Sequence, residues 1–212
     1  MKLLFFKLPI IFGRNFLTAM WLLLILSPFF FQEQKIPTRY HIEAGSKLLM
    51  TVYTNITQVK CNCEEKFLPQ PINLSAEEGQ IVTFNQTLLH LNKFKLNCGN
   101  NLGINKDMRL TLQAAQYPQI SIELKKLVSP EELDYSEWME WDAHLTITIA
   151  QVHKNYILPV RIKSLGENRF RITAFTIIRL SDHQLTPPKP MLGMIKIYDE
   201  VDINFDLLLH VS

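Results

Sequence analysis

From Tyr40 onward, apolar and polar residues alternate with a period of two. Residues 47–56 (KLLMTVYTNI) set Leu48, Met50, Val52, Thr54 and Ile56 on one face. Ile120, Ile122 and Leu124 alternate in the same way. Residues 141–149 place Trp141, Ala143, Leu145, Ile147 and Ile149 opposite Asp142, His144, Thr146 and Thr148. Further on, Leu158, Val160 and Ile162 share a face, as do Phe170, Ile172 and Ala174. The last run gives Val201, Ile203, Phe205, Leu207 and Leu209. One wet face and one apolar face is the pattern of half-buried antiparallel strands. Gly166 and Asn168 in LGENRF mark a hairpin turn. Residues 186–193 (TPPKPMLG) cannot form a central strand, because three prolines lack the N–H that a ladder needs. They predict an extended loop across one end of the sheet. Residues 129–138 (SPEELDYSEW) predict a solvated acidic connection.

One segment departs from this period. Residues 106–124 (KDMRLTLQAAQYPQISIEL) begin with helical spacing and end in alternation. Asp107 is predicted as the N-cap, its carboxylate accepting from free N–H groups of the first turn. Met108 and Leu112 then share a face, with Ala115 close behind. Pro118 pushes Tyr117 out of the helical region. A helix of two or three turns is marginal alone, so its Met-Leu face must cover something. Seven or eight long strands with short connections avoid open edges most simply by closing on themselves. The expected fold is all-β: an antiparallel eight-stranded barrel over residues 40–212, with this helix as a lid on its open end.

The N-terminus reads differently. Residues 16–31 (FLTAMWLLLILSPFFF) are almost uninterruptedly apolar behind Lys2, Lys7 and Arg14. As a helix the run spans about 24 Å, short of the roughly 30 Å hydrocarbon core. Residues 1–33 therefore read as an export signal, or as an uncleaved signal anchor that tethers the chain to a membrane. Without them the chain carries 19 basic and 19 acidic residues, of 22 and 20 in all. A neutral body offers no basic face for counterion release, so nucleic acid is not an expected partner.

Cys61, Cys63 and Cys98 are the three cysteines. In an exported chain, Cys98 is expected to bridge to Cys61 or to Cys63. Free thiols are one alternative and a metal site is another, although a closed thiolate zinc site needs four ligands. The six histidines are scattered, with no ligand pair at helical spacing and no Gly-x-Ser-x-Gly elbow. Neither catalysis nor a cofactor is expected. A weaker alternative is a haem or metal carrier using His90 with Cys98.

Several stretches together resemble the YceI-like family of lipid- and polyisoprenoid-binding proteins. NKDMRLTLQAAQYPQISIEL is similar to the family's charged pair, short helix ending in Tyr-Pro, and alternating strand. DAHLTITI, LPVRI and FRITAF follow in order, and SDHQLTPPKPMLGMIKIYDEVDINFDLLL resembles the family's Pro-Pro and Gly-x-Ile-Lys-Ile elements. Asn55 stands in its Thr-Asn-Ile position, and NCGNNLG resembles a Cys-Gly-Asn element that supports the Cys98 bridge. The match runs from Tyr40 to Leu209.

The resemblance implies a lipocalin-like barrel with a long isoprenoid-like or fatty chain in its lumen. It also implies export to the periplasm or cell envelope of a Gram-negative bacterium, with anchorage to the inner membrane if the signal is retained. The oligomeric state stays open, a dimer included. The expected lumen residues are Met50, Val52, Ile122, Leu124, Leu145, Ile147, Val160, Ile172, Ile203 and Phe205, with Met108 and Leu112 on the lid. A polar headgroup would stay at the mouth, by the Asp107 helix and the loop 187–190. The competing expectation is a filled core, in a structural or interaction module of the cell envelope that binds no ligand.

Overall fold

Antiparallel pairing accounts for nearly all of the backbone order in the computed structural model, which describes residues 39–212 except 73, 79, 100 and 131–136. The expected signal or anchor segment, and most of the acidic connection, lie outside the described residues.

Eight strands have six or more residues: β2 (Lys47–Thr54), β3 (Gln58–Cys63), β6 (Ile81–Asn92), β8 (Gln119–Val128), β9 (Met139–Ile149), β10 (Val152–Gly166), β11 (Arg169–Arg179) and β12 (Ile197–Val211). Four shorter ones join them: β1 (Arg39–Ile42), β4 (Gln70–Pro71), β5 (Leu74–Glu78) and β7 (Leu96–Asn97). The single sheet runs β5-β6-β8-β9-β10-β11-β12-β2-β3-β7, with β1 paired to β12 and to β4. Two sharp hairpins fix the register of its middle. Ala150–Gln151 and Glu167–Asn168 each place two successive residues at positive φ, as a two-residue primed turn requires. Gly166, at φ +82, lets the chain leave β10 beside the second turn.

The registers put the predicted strand residues on one concave face. Ile203 opposes Met50, and Phe205 opposes both Leu48 and Ala174. Leu124 opposes Leu145, and Ile122 opposes Ile147. Two details differ from the sequence expectation. Ile56 lies past the end of β2 in an exposed turn. β6 was not evident from periodicity, because its register shifts between Thr83 and Thr87, where Gln86 takes a φ of +54. The shift moves the inward set from Val82 to Thr87, Leu89 and Leu91, and so breaks the alternation.

The sheet curls into a half-barrel, and hydrogen bonding does not close it all round. Among the described residues no ladder joins β3 to β6. β3 has only six residues, and beyond it Pro69 and Pro71 lack the N–H groups that would extend an edge. The gap is bridged at both ends by other means. At one end β6 runs through a 3₁₀ turn, Lys93–Lys95, into β7, which pairs with β3. Asn92 N donates to Glu65 Oε2 at 2.6 Å and Glu64 N donates to Lys95 O at 2.9 Å. At the other end, β1 pairs with β12 and Tyr40 Oη donates to the Leu88 carbonyl of β6 at 3.2 Å.

Lys93 holds the bridging turn. Its side chain is 0% exposed and Nζ donates to the Leu112 carbonyl at 2.8 Å. Burial pushes its pKa down from 10.5 to about 8. Below pH 8 both folded and unfolded chains hold the proton, so the cost of burying the charge is felt in full. Between pH 8 and 10.5 the unfolded chain binds more protons than the folded one, and stability rises with pH. Relative to Lys93→Met, the unaltered protein should gain roughly 2–3 kcal/mol between pH 8 and pH 10. Urea unfolding across that range checks this, and a constant difference between the two proteins would contradict it.

Candidate functional site

The candidate site is built where the short helix meets the sheet. Helix α1 spans Leu102–Thr111 and starts earlier than expected. Asn101 is the N-cap, its side chain accepting from Ile104 N at 3.1 Å, and Asp107 lies inside the helix. Gly103, in the first turn, disfavours helix by local propensity. Tertiary contacts offset that cost. Asn105, which is buried, accepts from Cys98 N at 2.8 Å and donates to Asn97 Oδ1 at 3.3 Å, tying the helix to β7. Leu112 caps the C-terminus and Gln113 turns the chain at φ +54, so the helix ends well before Pro118.

Between α1, β2, β3 and the proline loop lies a cavity of about 270 Å³. Met50, Val52, Met108 and Leu112 form part of its wall, alongside Val59, Ile104 and Val201. Asp107 is the one charged residue on the wall, which is otherwise apolar apart from three threonines. Pro188 and Pro190 of the proline loop also line the cavity. Thr54 folds the β2–β3 turn by accepting from Thr57 N at 2.9 Å and donating to Thr57 O at 2.7 Å. Asn55 ties that turn to the loop before β12. It donates to Met194 O at 3.2 Å and accepts from Lys196 N at 2.8 Å. Gly193, at φ +89, provides the bend that brings these carbonyl and amide groups round.

The other eight expected lumen residues are distributed differently. Leu145, Ile147 and Val160 are buried in the central core, and Ile122, Leu124, Ile172 and Ile203 pack against it. Phe205 packs there too and lines a second cavity of about 480 Å³, with Leu89, Leu91 and Cys63. This second space lies in the gap between β3 and β6, and its wall includes Glu43, Glu64, Glu65, Lys47 and Lys66. It is the more polar of the two. The space shaped for apolar material is therefore at the α1 end of the sheet.

Cys61 and Cys98 lie on the wall of the first cavity and form a disulfide, while Cys63 remains free. β3 supplies the choice. Cys61 and Cys63 share a face of that strand, and the pairing with β7 decides between them: Cys63 opposes Leu96 and Asn62 opposes Asn97, so Cys61 comes level with Cys98. With its sulfur in the bridge, Cys98 presents no free thiolate of the kind the haem or metal alternative calls for. His90, its supposed partner, instead pairs its Nδ1 with Ser121 Oγ at 2.9 Å on the exposed side of the sheet. Among the described residues no group of three or more His, Cys, Asp or Glu side chains could hold a metal ion. His183, 1% exposed, contacts Val152 O at 3.2 Å and Tyr156 Oη at 3.0 Å. Burial lowers its pKa, and both ring nitrogens are occupied by structural contacts. No sequence signal singled it out from the other histidines.

With this geometry in place, comparison with known proteins is informative. The model of the family described as YceI-like domain matches residues 68–209, two thirds of the chain. That stretch contains α1 and the proline loop, whereas β1 to β3 precede it. A polyisoprenoid binding domain from Saccharophagus degradans, implicated in plant cell wall breakdown, superposes with a TM-score of 0.61 at 15% identity. The superposition covers 82% of this chain and 98% of that one. BcnA of Burkholderia cenocepacia gives a TM-score of 0.60 at 16% identity, over 79% and 98% of the two chains. At such identities the likeness is one of fold. No curated protein matches the sequence.

The disulfide closes a loop across 37 residues of sequence, which should contribute about 3–4 kcal/mol by chain-entropy reasoning. Peptide mapping without reduction should recover a Cys61–Cys98 peptide and an alkylated Cys63. Recovery of a Cys63–Cys98 peptide, or alkylation of all three, would contradict the placement.

Proposed function

The chain belongs to the YceI-like domain family, and from that premise we propose that it binds one stretch of a long isoprenoid-like or fatty chain in the cavity under α1. The observation that carries the reading is the cavity's composition: mostly apolar walls from α1, β2, β3, β12 and the proline loop, with Asp107 as the one charged residue. Apolar chains bind by the area they remove from water, at about 25 cal/mol per Å², and need no fixed polar constellation. The cavity is slightly smaller than the roughly 300–1,000 Å³ of typical ligand pockets. It suits a segment of a chain, with the remainder and any polar headgroup outside, near Asp107 and the proline loop. The name of the Saccharophagus domain, with the same fold, supports this ligand class. In this reading the protein acts by binding, without catalysis. It is exported to the periplasm or envelope, residues 1–33 serving as signal or anchor.

A second reading has its own support. Leu145, Ile147 and Val160 fill the middle of the half-barrel, each less than 10% exposed. A filled centre fits a structural or interaction module that carries no ligand. Organic extraction of the purified full chain, followed by mass spectrometry, separates the two readings. The first expects a long apolar species to co-purify. Val52→Trp should then place an indole in the cavity and lower the recovered lipid about fivefold, by overpacking the space the chain would occupy. The second reading expects no lipid from either protein.

A further inference from the structure

The rim of the apolar cavity exposes large apolar side chains where a surface loop ordinarily carries polar ones. Ile56 in the β2–β3 turn is 69% exposed, and Met191, Leu192 and Met194 in the loop before β12 are 62%, 103% and 65% exposed. Leu192 stands wholly clear of the protein. Met191 and Leu192 also have left-handed backbones, at φ 51 and φ 57, a region that bulky residues seldom occupy. Uncommon conformations persist where surrounding structure over-determines them, often at functional sites. Here the hydrogen bonds of Asn55 to Met194 and Lys196 tie the two loops together, and Pro188 and Pro190 stiffen the approach. The apolar tip is thus held outward on a braced support.

Two features indicate what covers this tip. The first is charge. The loop carries Lys189 and Lys196, both exposed, and residues 186–196 contain no acidic residue. Lys106 adds a further exposed positive charge on α1. Apolar side chains flanked by lysines are the composition of elements that sit in the headgroup layer of an anionic membrane. The second is continuity. Ile56, Pro188 and Pro190 belong both to the rim and to the cavity wall, so the apolar interior opens amid the apolar tip.

We infer that this rim docks on an anionic bilayer, with Met191 and Leu192 inserted among the headgroups and the cavity mouth facing the lipid. Building on the apolar-chain reading, docking of this kind lets a ligand pass between bilayer and cavity without exposing its length to water, where apolar surface is costly.

Hydroxyl-radical footprinting of the full chain, read by mass spectrometry, tests the docking without any ligand. On vesicles rich in phosphatidylglycerol, Met191, Leu192 and Met194 should react about fivefold more slowly, as buried interfacial side chains do. Phe175 and Ile177, exposed on the outside of β11, should react as before, and phosphatidylcholine vesicles should protect the rim less. Unchanged rim reactivity on anionic vesicles would overturn the proposal, even if residues 16–31 hold the chain to the membrane. Equal protection of Phe175 and Ile177 would also overturn it. So would rim protection that appears without lipid and grows with protein concentration, which would assign the surface to a second copy.

Met191→Asp together with Leu192→Asp should slow the uptake of a pyrene-labelled long-chain alcohol from the anionic vesicles and leave the amount bound at equilibrium unchanged. A fall in the equilibrium amount would place the two residues in the binding wall and overturn the docking role. Footprint protection in a chain that takes up no alcohol would leave docking standing and remove the apolar-chain reading.

Discussion

Between β3 and β6 the sheet has no ladder among the described residues, and a seam runs where a closed barrel would have hydrogen bonds. A curled sheet that cannot close by pairing leaves two edges and an accessible interior, and both need other elements to manage them. The chain manages them with the segment between β6 and β8. Lys93 anchors the bridging turn, β7 pairs with β3, the Cys61–Cys98 disulfide fixes that pairing covalently, and α1 lies over the end. The same few residues therefore close the seam and wall the cavity. Cys61, Cys98 and Leu112 belong to both tasks. A change that loosened the seam would also change the shape of the space behind it.

Much of the fold was legible because it rests on a period of two. In β2, β8, β9, β10, β11 and β12 the inward parity read from the sequence is the parity that the registers show. β6 was illegible for a local reason: one residue at positive φ shifts its register, and the two halves of the strand present opposite parities to a reader of the sequence. The helix start was misplaced because Asp107 is by residue type a good cap, and the apolar spacing begins only with Met108. The contacts of Asn105 to β7 decide the matter, and such long-range contacts leave no periodic trace. Which residues meet the cavity was less legible still. Parity says which face of a sheet a side chain is on. It does not say whether the space opposite is filled, because that depends on packing across the curl.

The distribution of inward residues shows how a half-barrel can be both well packed and hollow. Strands β9 and β10 are long, central and paired on both sides, and their inward residues Ala143, Leu145, Ile147, Leu158 and Val160 are all buried. β2 and β3 lie near the open edge, and their inward residues Met50, Val52 and Val59 are only partly buried. Their remaining apolar surface faces α1 and the proline loop across the cavity. Surface left incompletely buried there is available to a ligand, and covering it repeats on binding the gain that the core obtains on folding.

The loops around the cavity give this arrangement its direction. Three kinds of restraint converge on one end: the Asn55 hydrogen bonds between turn and loop, the three prolines of the loop, and the Asn105 contacts that seat α1. The second cavity, in the gap between β3 and β6, carries Glu43, Glu64 and Glu65 on its wall. An apolar molecule entering there would lie against Glu43, held by Arg169, and against Glu64 and Glu65, which accept from Asn97 and from Asn92 N, and covering charged groups with apolar surface is costly. At the α1 end it meets apolar side chains first and apolar walls behind them. On the proposed reading, this polarity difference between the two cavities makes the α1 end the entrance for an apolar chain.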